Sequence, residues 1–128
     1  MKIGEIAKLV GLTPKSIRFY EATQLLDAPF RQKNGYRQYT QAHLQTLKLI
    51  KRARDVGFSL EECRTLISLW RSPCRKSEDV NKTILQKIEL ITQQINLLTE
   101  VKATLTKLSD QCPNNQQSTC PILSELLK

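Results

Sequence analysis

From Ser77 to Leu108 the chain contains neither Gly nor Pro, and apolar residues recur at Ile84, Ile88, Ile91, Ile95 and Leu98. Steps of four and three draw the narrow stripe of a coiled coil, so this stretch reads as one long helix. Ser77 supplies an N-cap, and Glu78 and Asp79 place negative charge where the helix dipole favours it. Between Leu98 and Val101 the stripe slips by one residue, after which Leu105 and Leu108 resume it. Asn81 falls on the same stripe, where one polar residue fixes register at some cost in stability. Such a stripe needs a partner helix. No second helix of comparable length is predicted elsewhere, so a homodimer, antiparallel or parallel, is expected over an intramolecular hairpin.

With 128 residues the chain can build one small domain and a long appendage, not two independent cores. Its net charge of +8 is unevenly placed. Up to Lys76 there are 15 Lys and Arg against 6 Asp and Glu, whereas from Ser77 onward there are 5 against 6. The first part is therefore the half expected to meet a polyanion. No signal peptide follows Met1 and Lys2 and no segment is long enough to span a membrane, so a soluble, cytoplasmic protein is expected. In a reducing compartment Cys63, Cys74, Cys112 and Cys120 read as thiols or metal ligands, not as a disulfide framework.

The basic part divides at its glycines. Ile3, Ile6, Ala7 and Val10 make a short helix ended by Gly11, and Thr13 then caps a second helix that has Pro14 at its first position. Helix, Gly turn, helix is the helix-turn-helix pattern, whose second helix enters the major groove by its first residues. Thr13, Lys15, Ser16 and Arg18 are thus placed near bases and phosphates. Asn34-Gly35 favours a type I′ hairpin between Arg31 and Lys33 on one side and Tyr36, Arg37 and Tyr39 on the other, a candidate wing with Tyr39 partly in the core. Thr40 caps a third helix that buries Leu44, Leu47, Ile50, Ala53 and Val56 and exposes Lys48, Lys51, Arg52 and Arg54. Ser59 and Glu62 form a capping box for a fourth helix, with Phe58 as a staple and Leu60, Cys63, Leu66, Ile67 and Trp70 inward. Cys63 is then a small core residue.

The strings IRFYEATQLL (Ile17 to Leu26), GYRQYT (Gly35 to Thr40) and VGFSLEE (Val56 to Glu62), with Pro29 and Arg31 between the first two, resemble the amino-terminal domain of the MerR family of transcription regulators. Together with the long helix the resemblance covers essentially the whole chain. It implies a mainly α protein: a winged helix-turn-helix head over 1–76, a long antiparallel coiled-coil dimerisation helix over 77–110, and a metal-binding loop with a short helix over 111–128. It further implies a homodimer that bends and untwists promoter DNA so that bound RNA polymerase can start. By motif match Lys15, Arg18, Tyr20, Arg31, Tyr36, Arg37 and Arg54 become DNA contacts. The cations suit that role, since they neutralise phosphates and release counterions. Phe19 stands where many relatives carry Tyr, and Gln24 where Gly is common; neither departure removes a charge.

After the long helix comes Cys112-Pro-Asn-Asn-Gln-Gln-Ser-Thr-Cys120-Pro121, and residues 113–119 include no His, Cys, Met, Asp or Glu. A zinc ion would find two of the four ligands it wants, whereas Cu⁺, Ag⁺ and Au⁺ accept two thiolates in a line. Pro121 would start a short helix, Ile122 to Leu127, whose N–H groups point back at the residual negative charge. The other readings of the pair are two unrelated thiols, a redox sensor that forms a Cys112–Cys120 disulfide, and a metal-sequestering carrier without DNA function. The family resemblance favours metal sensing, and the CxxxxxxxCP form is similar to its copper-sensing branch, which activates copper-efflux genes. In that branch Ser occupies the start of the dimerisation helix, where zinc, lead and mercury sensors carry a third Cys; Ser77 matches it. Cys74 lies nearby, and Asn81 stands where close relatives have Lys. No set of nucleophile, base and orienting group is visible, so an enzyme is not expected.

Overall fold

A computed structural model describes residues 1–111 and 120–128. Six helices and one two-stranded sheet follow in the order α1 (Ile3–Val10), α2 (Pro14–Ala22), β1 (Phe30–Arg31), β2 (Arg37–Gln38), α3 (Gln41–Asp55), α4 (Leu60–Arg71), α5 (Ser77–Asp110) and α6 (Pro121–Leu126). They form two compact units, Met1–Thr83 and Ile84–Lys128.

Local chemistry sets the ends of the first unit's helices. Gly11 stops α1 in the left-handed region at φ 73°, donating its N–H to the Ala7 carbonyl. Thr13 Oγ1 accepts the Ser16 N–H at 3.1 Å and Pro14 opens α2. The Ser59/Glu62 capping box has both of its bonds. Thr40 also caps as expected, and its third helical residue, His43, returns the bond: the Thr40 N–H donates to His43 Nδ1 at 3.0 Å. A histidine completing such a box was not legible beforehand, because the usual partner is Glu or Gln.

Ile6, Ile17, Leu26, Tyr39, Leu47, Ile50 and Cys63 fill the centre of this unit with almost no exposure. Burial pushes the Cys63 thiol up, as befits a core residue. Tyr39 goes further into the core than its expected partial packing. Two expectations fail at the rim. Val56 is 65 % exposed and Trp70 38 % exposed, since each stands at the end of its helix, where the apolar face has run past the core.

The hairpin turn also differs from expectation. A type I′ turn needs positive φ at both central residues, and of Asn34 and Gly35 only Gly35 has it, at 84°. Gly35 donates to the Gln32 carbonyl and Gln32 to the Tyr36 carbonyl, both at 2.9 Å. The turn is therefore centred on Lys33 and Asn34, with Gly35 as the left-handed residue of a bulge. Asn34 acts through its side chain, Oδ1 accepting the Tyr36 N–H at 3.1 Å. The ladder pairs Phe30 with Gln38 and Arg31 with Arg37.

Helix α5 runs 34 residues, matching the long helix read from the apolar stripe. Ser77 lies inside its first turn instead of capping it; the Lys76 carbonyl takes the first bonds, from the Asp79 and Val80 N–H groups. Ile88, Ile95, Leu98, Val101 and Leu105 stay exposed along the stripe in the single chain, and Leu108 is buried. None of the described helices is long and apolar enough to cross a membrane.

Candidate nucleic-acid interface and metal loop

Helix α2 and the hairpin present one continuous basic surface. A cleft of about 560 Å³ lies between the start of α1, helix α2 and the hairpin. Lys2, Lys8, Arg18, Arg31 and Arg37 line it, with Glu5 the one acid among them. Lys15 and Arg18 are exposed on α2, as the motif requires. Tyr36 is 64 % exposed at the hairpin tip, with Lys2 Nζ 5.9 Å from its ring centre. Arg31 donates from Nη1 to the Gly35 carbonyl at 3.3 Å, which ties the tip of its side chain to the turn.

Two candidate contacts lie deeper than the others. Tyr20 is 8 % exposed, its ring 5.8 Å from that of Phe19, so it offers a ligand only an edge. Arg54 is exposed but spends Nη1 on the Phe58 carbonyl at 3.1 Å, closing the turn between α3 and α4.

Sequence reasoning missed the groups that hold this surface in shape. Glu21, one turn beyond Arg18, accepts the Tyr39 hydroxyl on Oε1 and has Arg37 Nε 3.3 Å from Oε2. The Arg37 contact is Coulombic, because the Nε–H is not aligned for a hydrogen bond. On α4, Arg64 donates to the Thr23 and Gln24 carbonyls, and Arg71 donates to Asp27 and to Thr46 Oγ1. Arg64 and Arg71 are seven residues apart, hence on one face of α4, and both grip the segment that follows α2. The signal was that i, i+7 spacing of two arginines, but its target 40 residues earlier is a tertiary fact.

In the second unit, Cys120 is half-buried at the N-cap position of α6, followed by Pro121 at the first helical position. Glu125 of α6 lines a hollow with Thr104, Lys107 and Leu108 of α5. Cys112, the other candidate ligand, lies outside the described residues. Among the described residues no three His, Cys, Asp or Glu gather into a metal site. Cys74 and Ser77 are both exposed in the segment where α5 begins.

A helix-turn-helix with an Arg-bearing hairpin beside its second helix defines a winged DNA-binding protein. Two family models match, one described as MerR HTH family regulatory protein over residues 1–69 and one as MerR, DNA binding over residues 44–108. The chain belongs to the MerR family of transcription regulators. It is 44 % identical over 126 residues to the HTH-type transcriptional regulator CueR of Yersinia pestis, and 45 % identical to that of Salmonella typhimurium. Both matches cover 98 % of this chain and 91 % of the relative. Among solved structures, the transcription regulator PbrR691 from Ralstonia metallidurans in complex with lead(II) superposes with a TM-score of 0.89 at 31 % identity, covering 98 % of each chain. Its relatives are regulators and not enzymes, and so is this chain.

Proposed function

We propose that this protein is a copper-responsive transcription activator of the cytoplasm. The observation that carries the reading is the 98 % coverage of the chain by regulators named CueR, which extends the likeness past the head to the Cys120 end. Two heads, one from each chain of a homodimer, hold promoter DNA through Lys15, Arg18, Arg31, Tyr36, Arg37 and Arg54, with the edge of Tyr20 beside them. The exposed stripe from Ile88 to Leu105 supports pairing of two α5 helices, antiparallel as the family resemblance implies, since so much apolar surface on a lone helix is a liability in water. In this reading residues 1–76 bind DNA, 77–110 dimerise and 111–128 sense.

Cys112 and Cys120 would hold the ion. Their donor set fits a soft monovalent ion, Cu⁺, Ag⁺ or Au⁺, because two thiolates satisfy linear coordination and leave a divalent ion short of ligands. A bound ion would join the two thiolates and so tie Cys112 to the start of α6. The heads distort the promoter in response, and RNA polymerase already bound there starts transcription.

The test titrates anaerobic protein with Cu⁺ and Zn²⁺ separately and follows transcription from DNA that the protein selects. Cu⁺ is expected to bind tightly and activate, and either Cys112→Ser or Cys120→Ser to abolish activation while DNA binding persists. A Cys120→Ser variant that still responds to copper would overturn the two-thiolate site. Activation by oxidant without metal would favour the disulfide reading, and failure to select any DNA would favour a carrier.

A further inference from the structure

We propose that Glu21 is a positioning residue for DNA recognition: its carboxylate locks the hairpin to the second helix of the motif, raising selectivity at the expense of general affinity for DNA. The inference rests on the DNA-binding reading of the head.

Glu21 does not line the basic cleft but stands against Arg37, which does, and its side chain is only 11 % exposed. Charge counting alone argues against it, because a negative group beside Arg37 weakens phosphate attraction. A carboxylate removed from water is retained at such a place when its partners compensate it. Its two oxygens serve two elements. Oε1 takes the hydroxyl of Tyr39, which is 1 % exposed and anchored through its own N–H to the Met1 carbonyl at 2.7 Å. Oε2 faces Arg37 Nε on the hairpin. Helix α2, the core and β2 are thereby joined at one side chain.

The ladder register shows why the hairpin needs this. Arg31 and Arg37 are direct cross-strand partners in a sheet only two residue pairs long. Like charges directly opposite destabilise a strand pair, and so short a ladder has little to offset the repulsion. Glu21 supplies the countercharge from outside the sheet. Coulombic attraction at Nε, the nitrogen nearest the stem, draws the Arg37 guanidinium toward α2 while Arg37 still lines the cleft. A guanidinium already held in place loses less conformational freedom when it meets a phosphate.

Charge and geometry therefore predict opposite signs for Glu21→Gln, which keeps an acceptor for Tyr39 and removes the countercharge. The experiment measures binding of the full-length protein to a duplex that the wild type selects from a random library and to a scrambled duplex of equal length. Both are titrated over a range of salt, with urea midpoints for each variant. Positioning predicts that affinity for the selected duplex falls about tenfold while affinity for the scrambled duplex holds or rises. In an Arg37→Gln background the same substitution should cause no further loss of selectivity, the signature of a coupled pair. Tighter binding of Glu21→Gln to both duplexes would overturn the proposal and leave Glu21 as a mere charge. Should Glu21→Gln fail to fold, Glu21→Asp decides, because it keeps the charge but draws it back from Arg37 and Tyr39 by one methylene. A loss confined to the selected duplex supports positioning, and equal losses on both duplexes refute it. If the wild type enriches no duplex at all, the DNA-binding reading itself falls, an outcome distinct from every variant result.

Discussion

The guanidinium of Arg64 on α4 holds the carbonyl of Thr23, just beyond α2, with Nη2 2.9 Å from the oxygen. Nη1 approaches the next carbonyl, that of Gln24, at 3.4 Å. Two carbonyls just beyond α2 are so satisfied by a charge from α4, about 40 residues later in the chain. Arg64→Ala should cost about 1 kcal/mol, below the usual figure for hydrogen bonds to a charged group because the side chain is 41 % exposed. Urea denaturation measures it as a lower midpoint at unchanged slope. A variant as stable as the wild type would show that water replaces the guanidinium without loss.

Gln24 itself sits at φ 62°, where L side chains are strained. The chain needs this conformation to turn from α2 into the buried pair Leu25 and Leu26, whose N–H groups both donate to the Tyr20 carbonyl. Gly meets this backbone angle without the strain that a Cβ brings. Gln24→Gly should stabilise the protein by about 0.5–1 kcal/mol, the relief of strain exceeding the added freedom of the unfolded chain. Thermal unfolding of the two proteins side by side tests this, and a lower midpoint for the Gln24→Gly variant would count against strain as the dominant effect.

Tyr39 makes the stability of the head sensitive to alkali. Its phenol is raised well above the ordinary value of 10.0, first by burial and then by the Glu21 carboxylate that accepts its proton. A raised folded value means that the unfolded state gives up the proton first. The contribution is therefore complete below pH 10 and is lost as pH climbs above it. Wild-type urea midpoints should fall above pH 10 more steeply than those of Tyr39→Phe. Parallel curves for the two proteins would place the alkaline loss elsewhere.

Ser77 is expected to act by what it lacks. A hydroxyl is a poor metal ligand, so a Zn²⁺ ion at the two thiolates finds no third strong donor. If the start of α5 in one chain of the dimer meets the loop of the other, Ser77→Cys adds that donor, and zinc affinity should rise by about an order of magnitude or more. Competition against a chelator measures it, repeated with Cys74→Ser in both backgrounds so that the neighbouring thiol is accounted for. Unchanged zinc affinity throughout would restrict Ser77 to the helix end, where it lies within the first turn and not at the cap.

Local signals were enough for most of the fold. Gly11, Thr13, Thr40, Ser59 and Glu62 mark helix ends by bonds that span three or four residues, Pro14 marks one by its fixed φ, and apolar spacing at the helical period marks the buried faces between them. The basic half, the exposed cations Lys15 and Arg18 and the long α5 stripe were equally open to reading. Even the local signals erred by a residue where two arrangements compete. Asn34-Gly35 favours a type I′ turn, but the ladder from Phe30 to Gln38 admits a bulged turn instead, with the left-handed burden on Gly35 alone.

What the amino-acid order determined by itself is therefore whatever depends on neighbours in the chain: caps, periodicity, the placement of charge, and two cysteines with seven residues and no other strong ligand between them. The tertiary structure alone decided which charges meet. Glu21 with Tyr39 and Arg37, Arg64 with Thr23, and Arg71 with Asp27 and Thr46 pair groups about 16 to 44 residues apart. No sequence period encodes such pairs, because a long side chain finds its partner only after the core has set the helices against one another. In water before folding each of these groups is satisfied by solvent, and only burial makes the choice of partner matter.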